Sequence, residues 1–131
     1  MKVLHLTVKK KWFDMIASGE KKEEYREIKP YWVKRIIESV TLFGGRYESL
    51  KNISIKEAGL SELNFFHVAQ DTITRDVKFK QFDAIKFTNG YSKSAPSILI
   101  ECEGIEIGIA KPEWSDNWPG NVFKIKLGKR I

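Results

Sequence analysis

The sequence predicts an α+β fold: a small β-barrel or half-barrel with helices flanking one opening. Three observations lead there. Two helical patterns fall within the first 40 residues, and from residue 82 onward the chain reads almost wholly as short strands with tight turn signals. The third is size: 131 residues, 42% hydrophobic and 31% charged, are enough for one ordinary core and too few for two comfortable ones. The chain therefore reads as a single domain over residues 1–131, with 46–81 its least legible segment.

Taken in order, Val3 to Val8 alternates partly and is rich in β-formers, which predicts a first strand. In KKKWFDMIASG, Trp12, Met15 and Ile16 fall at i, i+3 and i+4, the stripe of a short helix. Gly19 suits the left-handed position that ends it. Glu23 to Ile28 then runs extended. Pro30 suits the first turn of a second helix, whose Val33, Ile36, Ile37 and Val40 form an i, i+3, i+4, i+7 stripe up to FGGRY. Within 46–81, KNISIKEAG reads as a strand or as a turn into a short helix near Leu60 to Phe66, and a weak alternation runs from Thr72 to Phe79. FDAIKFTNGY predicts a strand ending at an Asn-Gly turn. SILIECEGIEIGIA predicts two strands around Gly104, with Ile98, Ile100 and Cys102 on one face and Glu101 and Glu103 opposite. NVFKIKLG alternates Phe123, Ile125 and Leu127 against Lys124 and Lys126, after a loop, KPEWSDNWPG, that carries Trp114 and Trp118.

Composition excludes several function classes. No apolar run approaches the roughly 18 residues of a membrane-spanning helix, and Val3 to Val8 is too short for a signal peptide and lacks a cleavage site. A lone cysteine, Cys102, leaves no internal disulfide or cysteine-rich zinc site and fits a reducing compartment, so a cytoplasmic location is expected. Cys102 alternates with inward-looking isoleucines and reads as core. His5 and His67 are far apart and show no metal-ligand spacing; a lone histidine beside a strand is ordinarily a satisfied, partly buried residue. No phosphate-binding glycine loop, dinucleotide fingerprint or nucleophile elbow occurs, and neither a metal nor a cofactor is expected. The net charge of +6 raises the chance of a polyanionic partner. There is no basic tail or polylysine tract, so an anion site has to be assembled by folding.

Chemistry concentrates in SGEKKEEYREIKPYW, a run of alternating charge between a helix stop and a helix start. On a strand beginning near Glu23, Glu24 and Arg26 share one face, with Lys21 in the preceding turn free to lean over either. A carboxylate that fixes a guanidinium fork beside a mobile lysine makes a unit suited to a phosphate or a proton. An ordinary strand with solvated ion pairs fits the same spacing. Further along, Asn89 and Tyr91 flank Gly90 at a strand end, where an amide reads a base edge and a phenol stacks, or where both belong to a packed β-turn. Lys93 lies just beyond and either meets phosphate or solvates the loop. Trp114 and Trp118 are either barrel-closing anchors or a stacking platform, and Tyr31 and Trp32 stand next to the charged run. Lys9, Lys10 and Lys11 read as a solvated face, or as a source of long-range attraction for phosphates.

GEKKEEYR matches the pattern G-x-K-x-x-E-x-R at Gly19, Lys21, Glu24 and Arg26, after a strand and a helix. In this the chain resembles the ASCH domain, of the PUA-like superfamily; residues 82–91 and the ending PEWSDNWPGNVFKIKLG resemble it too. The resemblance implies a PUA-like β-barrel with a cleft between barrel and helices, lined by the motif and suited to RNA or a nucleoside. It implies an RNA- or nucleoside-binding role for Lys21, Glu24 and Arg26, with Asn89, Tyr91 and Lys93 added from the residue-level reading. Some relatives are enzymes, either ribonucleases or amidohydrolases acting on acetylated cytidine, so the alternative is catalysis in the same cleft by Lys21 and Glu24. In those amidohydrolases a nucleophilic threonine stands at the position matching Glu24. This sequence departs there, and a carboxylate does not replace a hydroxyl in the same acyl-transfer scheme, though it can activate water.

Overall fold

The computed structural model describes residues 1–41, 47–49 and 77–131. The strand or short helix expected between Lys51 and Phe66, and His67, lie outside the described residues. Of the alternation expected from Thr72 to Phe79, the described part is strand β5, Val77–Phe79.

The architecture is α+β. A curled five-stranded sheet forms a half-barrel, carrying two helices, with a second three-stranded sheet beside it. The larger sheet has the order β1-β6-β7-β8-β2. Its members are β1 (Val3–Val8), β6 (Ala84–Asn89), β7 (Ser97–Ile109), β8 (Asn121–Arg130) and β2 (Glu23–Glu27). β1 pairs with β6 in parallel, and the remaining pairs are antiparallel. The smaller sheet sets β3 (Ile37–Thr41) between β4 (Tyr47–Ser49) and β5.

β1 and β2 are thus the two opposite edges of the large sheet, and helix α1 (Lys10–Ala17) crosses from one to the other. The helix forms where the sequence predicts it. Trp12, Phe13 and Ile16 are its buried face, and the chain leaves it through Gly19 at φ 83°. That left-handed turn lets the Lys21 N–H donate to the Met15 carbonyl at 3.0 Å, which aims the chain into β2. The core packs inward-facing Leu4, Leu6, Phe87, Ile100, Phe123 and Ile125 against α1, Val33 and Ile36. Each fully buried aliphatic side chain of this kind contributes about 1.5–3 kcal/mol of transfer free energy.

Two expectations are corrected. The second helix, α2 (Pro30–Ile36), starts at Pro30 as expected but ends one turn earlier than the stripe through Val40 implies. Ile37 leaves helical geometry at φ −95°, ψ 130°, and its chain pairs with β5 and β4. Ile36 and Ile37 are both fully buried, so adjacent apolar residues serve a helix end and a strand start in turn. β-Branched Ile37, Val40 and Thr41 favour the strand once a partner edge is available. The second correction concerns Gly104, which bends a strand and does not separate two. β7 runs unbroken for 13 residues, with register shifts between Ile100 and Cys102 and between Cys102 and Gly104. Gly104 sits at φ 143°, a conformation side chains disfavour, and the bulge lets one strand pair with β6 over one half and β8 over the other. This is the bend that curls the sheet.

Candidate functional site

The curl brings the two edges of the sheet together, and Arg26 on β2 joins them. Its Nη2 donates to the Thr7 carbonyl of β1 at 3.0 Å and its Nη1 to the Tyr25 carbonyl at 2.6 Å. The same Nη1 lies 3.5 Å from Glu24 Oε1, and the guanidinium stands 5.2 Å from the Trp32 ring centroid. Glu24 and Arg26 therefore meet as the strand spacing predicts, with Arg26 also serving as a clasp across the seam.

Lys21 takes a different place from the one expected. It is 1% exposed and does not lean freely over the strand. Its Nζ lies 3.4 Å from Glu24 Oε1 and donates to the Trp114 carbonyl, while the charge sits 4.3 Å from the Trp12 ring centroid. The lysine is fixed by a residue 93 positions away, in the loop that carries both late tryptophans. Burial pushes the Lys21 ammonium below the ordinary lysine range, against the opposing pull of Glu24. The Arg26 guanidinium is lowered for the same reason, again opposed by Glu24.

Glu24 stands between these two cations. Its Oε1 accepts the Tyr25 backbone N–H at 2.8 Å and faces both Lys21 and Arg26. Its Oε2 is buried and has no hydrogen-bond partner among the described residues. A buried carboxylate oxygen without a donor costs of the order of 1–3 kcal/mol, so this atom is where the site calls for one.

Beside Glu24 opens a cavity of about 610 Å³, within the range that holds a nucleoside-sized ligand. Glu24 and Arg26 line it, and so do all four tryptophans of the chain, Trp12, Trp32, Trp114 and Trp118. They arrive from α1, from α2 and from the loop before β8. Trp114 and Trp118 also pack against Tyr25, Ala110 and Val122, so the loop is both anchored and presented. Tyr31 and Tyr91 complete the aromatic rim, with Tyr91 94% exposed. Asp116 ties the loop to α1, accepting from Lys9 Nζ at 3.1 Å and Trp12 Nε1 at 3.4 Å, and these donors hold its carboxyl below the usual range.

Of the residues singled out by sequence, the structure gathers Glu24, Arg26, Tyr31, Trp32, Tyr91, Trp114 and Trp118 at the wall, with Lys9 at the rim and Lys21 beneath. Asn89 and Lys93 do not line the cavity: Asn89 closes the loop by donating its N–H to the Pro96 carbonyl, and Lys93 is exposed. His5, read as partly buried, is exposed and lines the cavity rim. Trp12, Lys29 and Asp116 were missed. Trp12 looks like a core residue on its helical stripe, and the one signal that marks it is the scarcity of tryptophan itself. Among the described residues no group of three or more His, Cys, Asp or Glu side chains gathers as metal ligands, and no helix is long and apolar enough to cross a membrane. No family model, curated protein or solved structure matches this chain.

Proposed function

We propose that the protein is a base-reading module of the ASCH type, in the PUA-like superfamily, which takes an unstacked RNA base or a free nucleoside into the tryptophan-lined cavity. The observation that carries this reading is Glu24, a residue lining an aromatic chamber whose buried Oε2 has no donor among the described residues. Flat rings stack on such walls, and the N–H of a nucleobase edge supplies the missing hydrogen bond. Lys21 and Arg26 carry charges already engaged by Glu24 and by backbone carbonyls. Their part is to hold the carboxylate oriented; phosphate binding falls to other residues.

Because all four tryptophans line the cavity, ligand binding reads out directly as a change in intrinsic fluorescence. Titration with adenosine and cytidine should perturb the emission. N6,N6-dimethyladenosine, which lacks an exocyclic N–H, should bind roughly 10- to 100-fold more weakly, as expected when a buried charged acceptor is left unpaired. No response to any nucleoside at millimolar concentration, or equal affinity for the dimethyl analogue, defeats the reading.

A second reading is favoured by one observation, the contact of Lys21 Nζ with Glu24 Oε1 at 3.4 Å, which sets an acid/base pair beside the cavity. In it Glu24 takes a proton from water, the hydroxide adds to the acyl carbon of an acylated nucleoside, and the C–N bond breaks as Glu24 returns that proton to the leaving nitrogen, releasing the carboxylic acid and the free amine. Mass spectrometry of N4-acetylcytidine after incubation tests it: cytidine formed by wild type and not by Glu24→Gln supports it, and unchanged substrate removes it.

A further inference from the structure

A second depression of about 500 Å³ lies on the other side of Trp114, which lines both. Four lysines and two glutamates border it, among them Lys22, Lys111 and Lys129. The remaining charges largely cancel with neighbours. Lys126 Nζ lies 3.4 Å from Glu106, and Glu23 lies 3.8 Å from Lys124 while accepting the Tyr25 hydroxyl at 2.7 Å. Lys22, Lys111 and Lys129 are exposed and have no carboxylate partner among the described residues, and Glu103 is the one acidic group left to oppose them. Lys111 is held at the boundary: its Nζ lies 4.6 Å from the Trp114 ring centroid and its backbone N–H donates to the Tyr25 hydroxyl at 3.2 Å. Groove and cavity are also joined along β2, where Glu23 borders one and Glu24 and Tyr25 the other.

We propose that this groove holds backbone phosphates of a single-stranded nucleic acid whose unstacked base occupies the cavity. The proposal rests on the reading of the cavity as a base site and adds to it that the natural ligand is a strand, not a free nucleoside. The physical argument is a division of labour. Of the cations at the cavity, Arg26 and the underlying Lys21 are largely buried and engaged and Lys9 is paired with Asp116, which leaves Lys29 alone at the rim, among the described residues, against three lysines at the groove. Hydrated lysines on flexible stems, next to the cavity and with an uncompensated surplus of charge, attract a polyanion at range and release its counterions on contact. Trp114 is the partition over which a strand passes from one compartment to the other.

The test compares adenosine, adenosine monophosphate, a trinucleotide of adenosine and a glutamate hexapeptide, each titrated at two salt concentrations. Wild type is set against the double variant Lys22→Gln/Lys129→Gln, which keeps the side-chain stems and touches no cavity residue. The trinucleotide should bind wild type roughly tenfold or more tighter than adenosine, with an advantage that fades with salt. In the variant that advantage should disappear and the slope of log affinity on log salt should fall by about 1 to 1.5, while adenosine affinity stays unchanged. A trinucleotide that binds no better than adenosine or its monophosphate overturns the proposal and leaves the base site standing. So does an advantage that survives in the variant, or a glutamate peptide that binds as well. Failure of every nucleoside and the trinucleotide to bind overturns both.

Discussion

The two depressions on either side of Trp114 use lysine in opposite ways. Lys21 and Lys22 are neighbours in the chain, yet Lys21 is 1% exposed beneath the cavity and Lys22 is exposed on the rim of the groove. A charge taken out of water has to be matched locally, and Lys21 is matched by Glu24, by the Trp114 carbonyl and by the Trp12 ring. What remains for a ligand above Lys21 is therefore chiefly shape, aromatic surface and the Glu24 carboxylate, with exposed Lys29 the one rim lysine that has no carboxylate partner among the described residues. Lys22 keeps its hydration and its reach, at the cost of screening by salt. The net charge of +6 says nothing about this division, since both lysines count equally in it. The lesson is that a cationic motif and a cationic surface are different things, and here they lie on different sides of one tryptophan.

The largest expected effect follows from that contrast. Lys21→Ala removes one partner of a buried ion pair, leaves a void under Trp12 and frees the Trp114 carbonyl, so it should cost about 3–5 kcal/mol of stability. Lys22→Ala should stay within about 0.5 kcal/mol. Chemical denaturation of the two single variants measures the difference directly. Equal stabilities would mean that Lys21 is not buried as described. A loss of ligand binding in Lys21→Ala is consequently no evidence that Lys21 touches the ligand.

Tyr91 sharpens the comparison from the other side. It lines the cavity while being 94% exposed, so its ring has almost nothing to lose in folding. Tyr91→Ala should leave the melting temperature unchanged and weaken nucleoside binding by about 1–3 kcal/mol, the range for loss of an aromatic platform under a base. Unchanged nucleoside affinity would remove Tyr91 from the site and leave the tryptophans as its walls.

How much of this was legible in the sequence depends on the reach of each contact. β1, α1, the Gly19 turn, β2 and the start of α2 were legible because period, cap and proline all act within a few residues. The meeting of Glu24 and Arg26 follows from the alternation of a strand. Lys21 was misplaced because its fate is decided by Trp114, from which it is separated by most of the chain. The four tryptophans converge through the same kind of long-range contact, and no local pattern distinguishes a wall residue such as Trp12 from a core one. The end of α2 was overrun because Ile36 and Ile37 satisfy a helical stripe and a buried strand alike. Gly104 reads as a break in the sequence because a glycine marks a bulge and a turn with the same letter.

The smallest effect concerns the latch that keeps the tryptophan loop over α1. Asp116 is tied to Lys9 Nζ and Trp12 Nε1, and both donors favour its ionised form, which sets its folded-state pKa below the unfolded 3.8. A carboxylate shifted in this direction contributes stability that is fully present above the unfolded value and is lost as pH falls through the folded one. The Lys9 and Asp116 side chains are 76% and 54% exposed, so the solvent-screened contribution stays under about 1 kcal/mol. Asp116→Asn should therefore lower stability slightly at pH 6, and the gap from wild type should close below pH 3.8 and narrow in high salt. Thermal melts of the two proteins across that range measure the gap. A difference that persists unchanged at pH 2 would assign the latch to the shape of the side chain and not to its charge. Because Asp116 borders the cavity and Lys9 stands beside it, the same loss should loosen the loop that carries Trp114, the wall shared by cavity and groove.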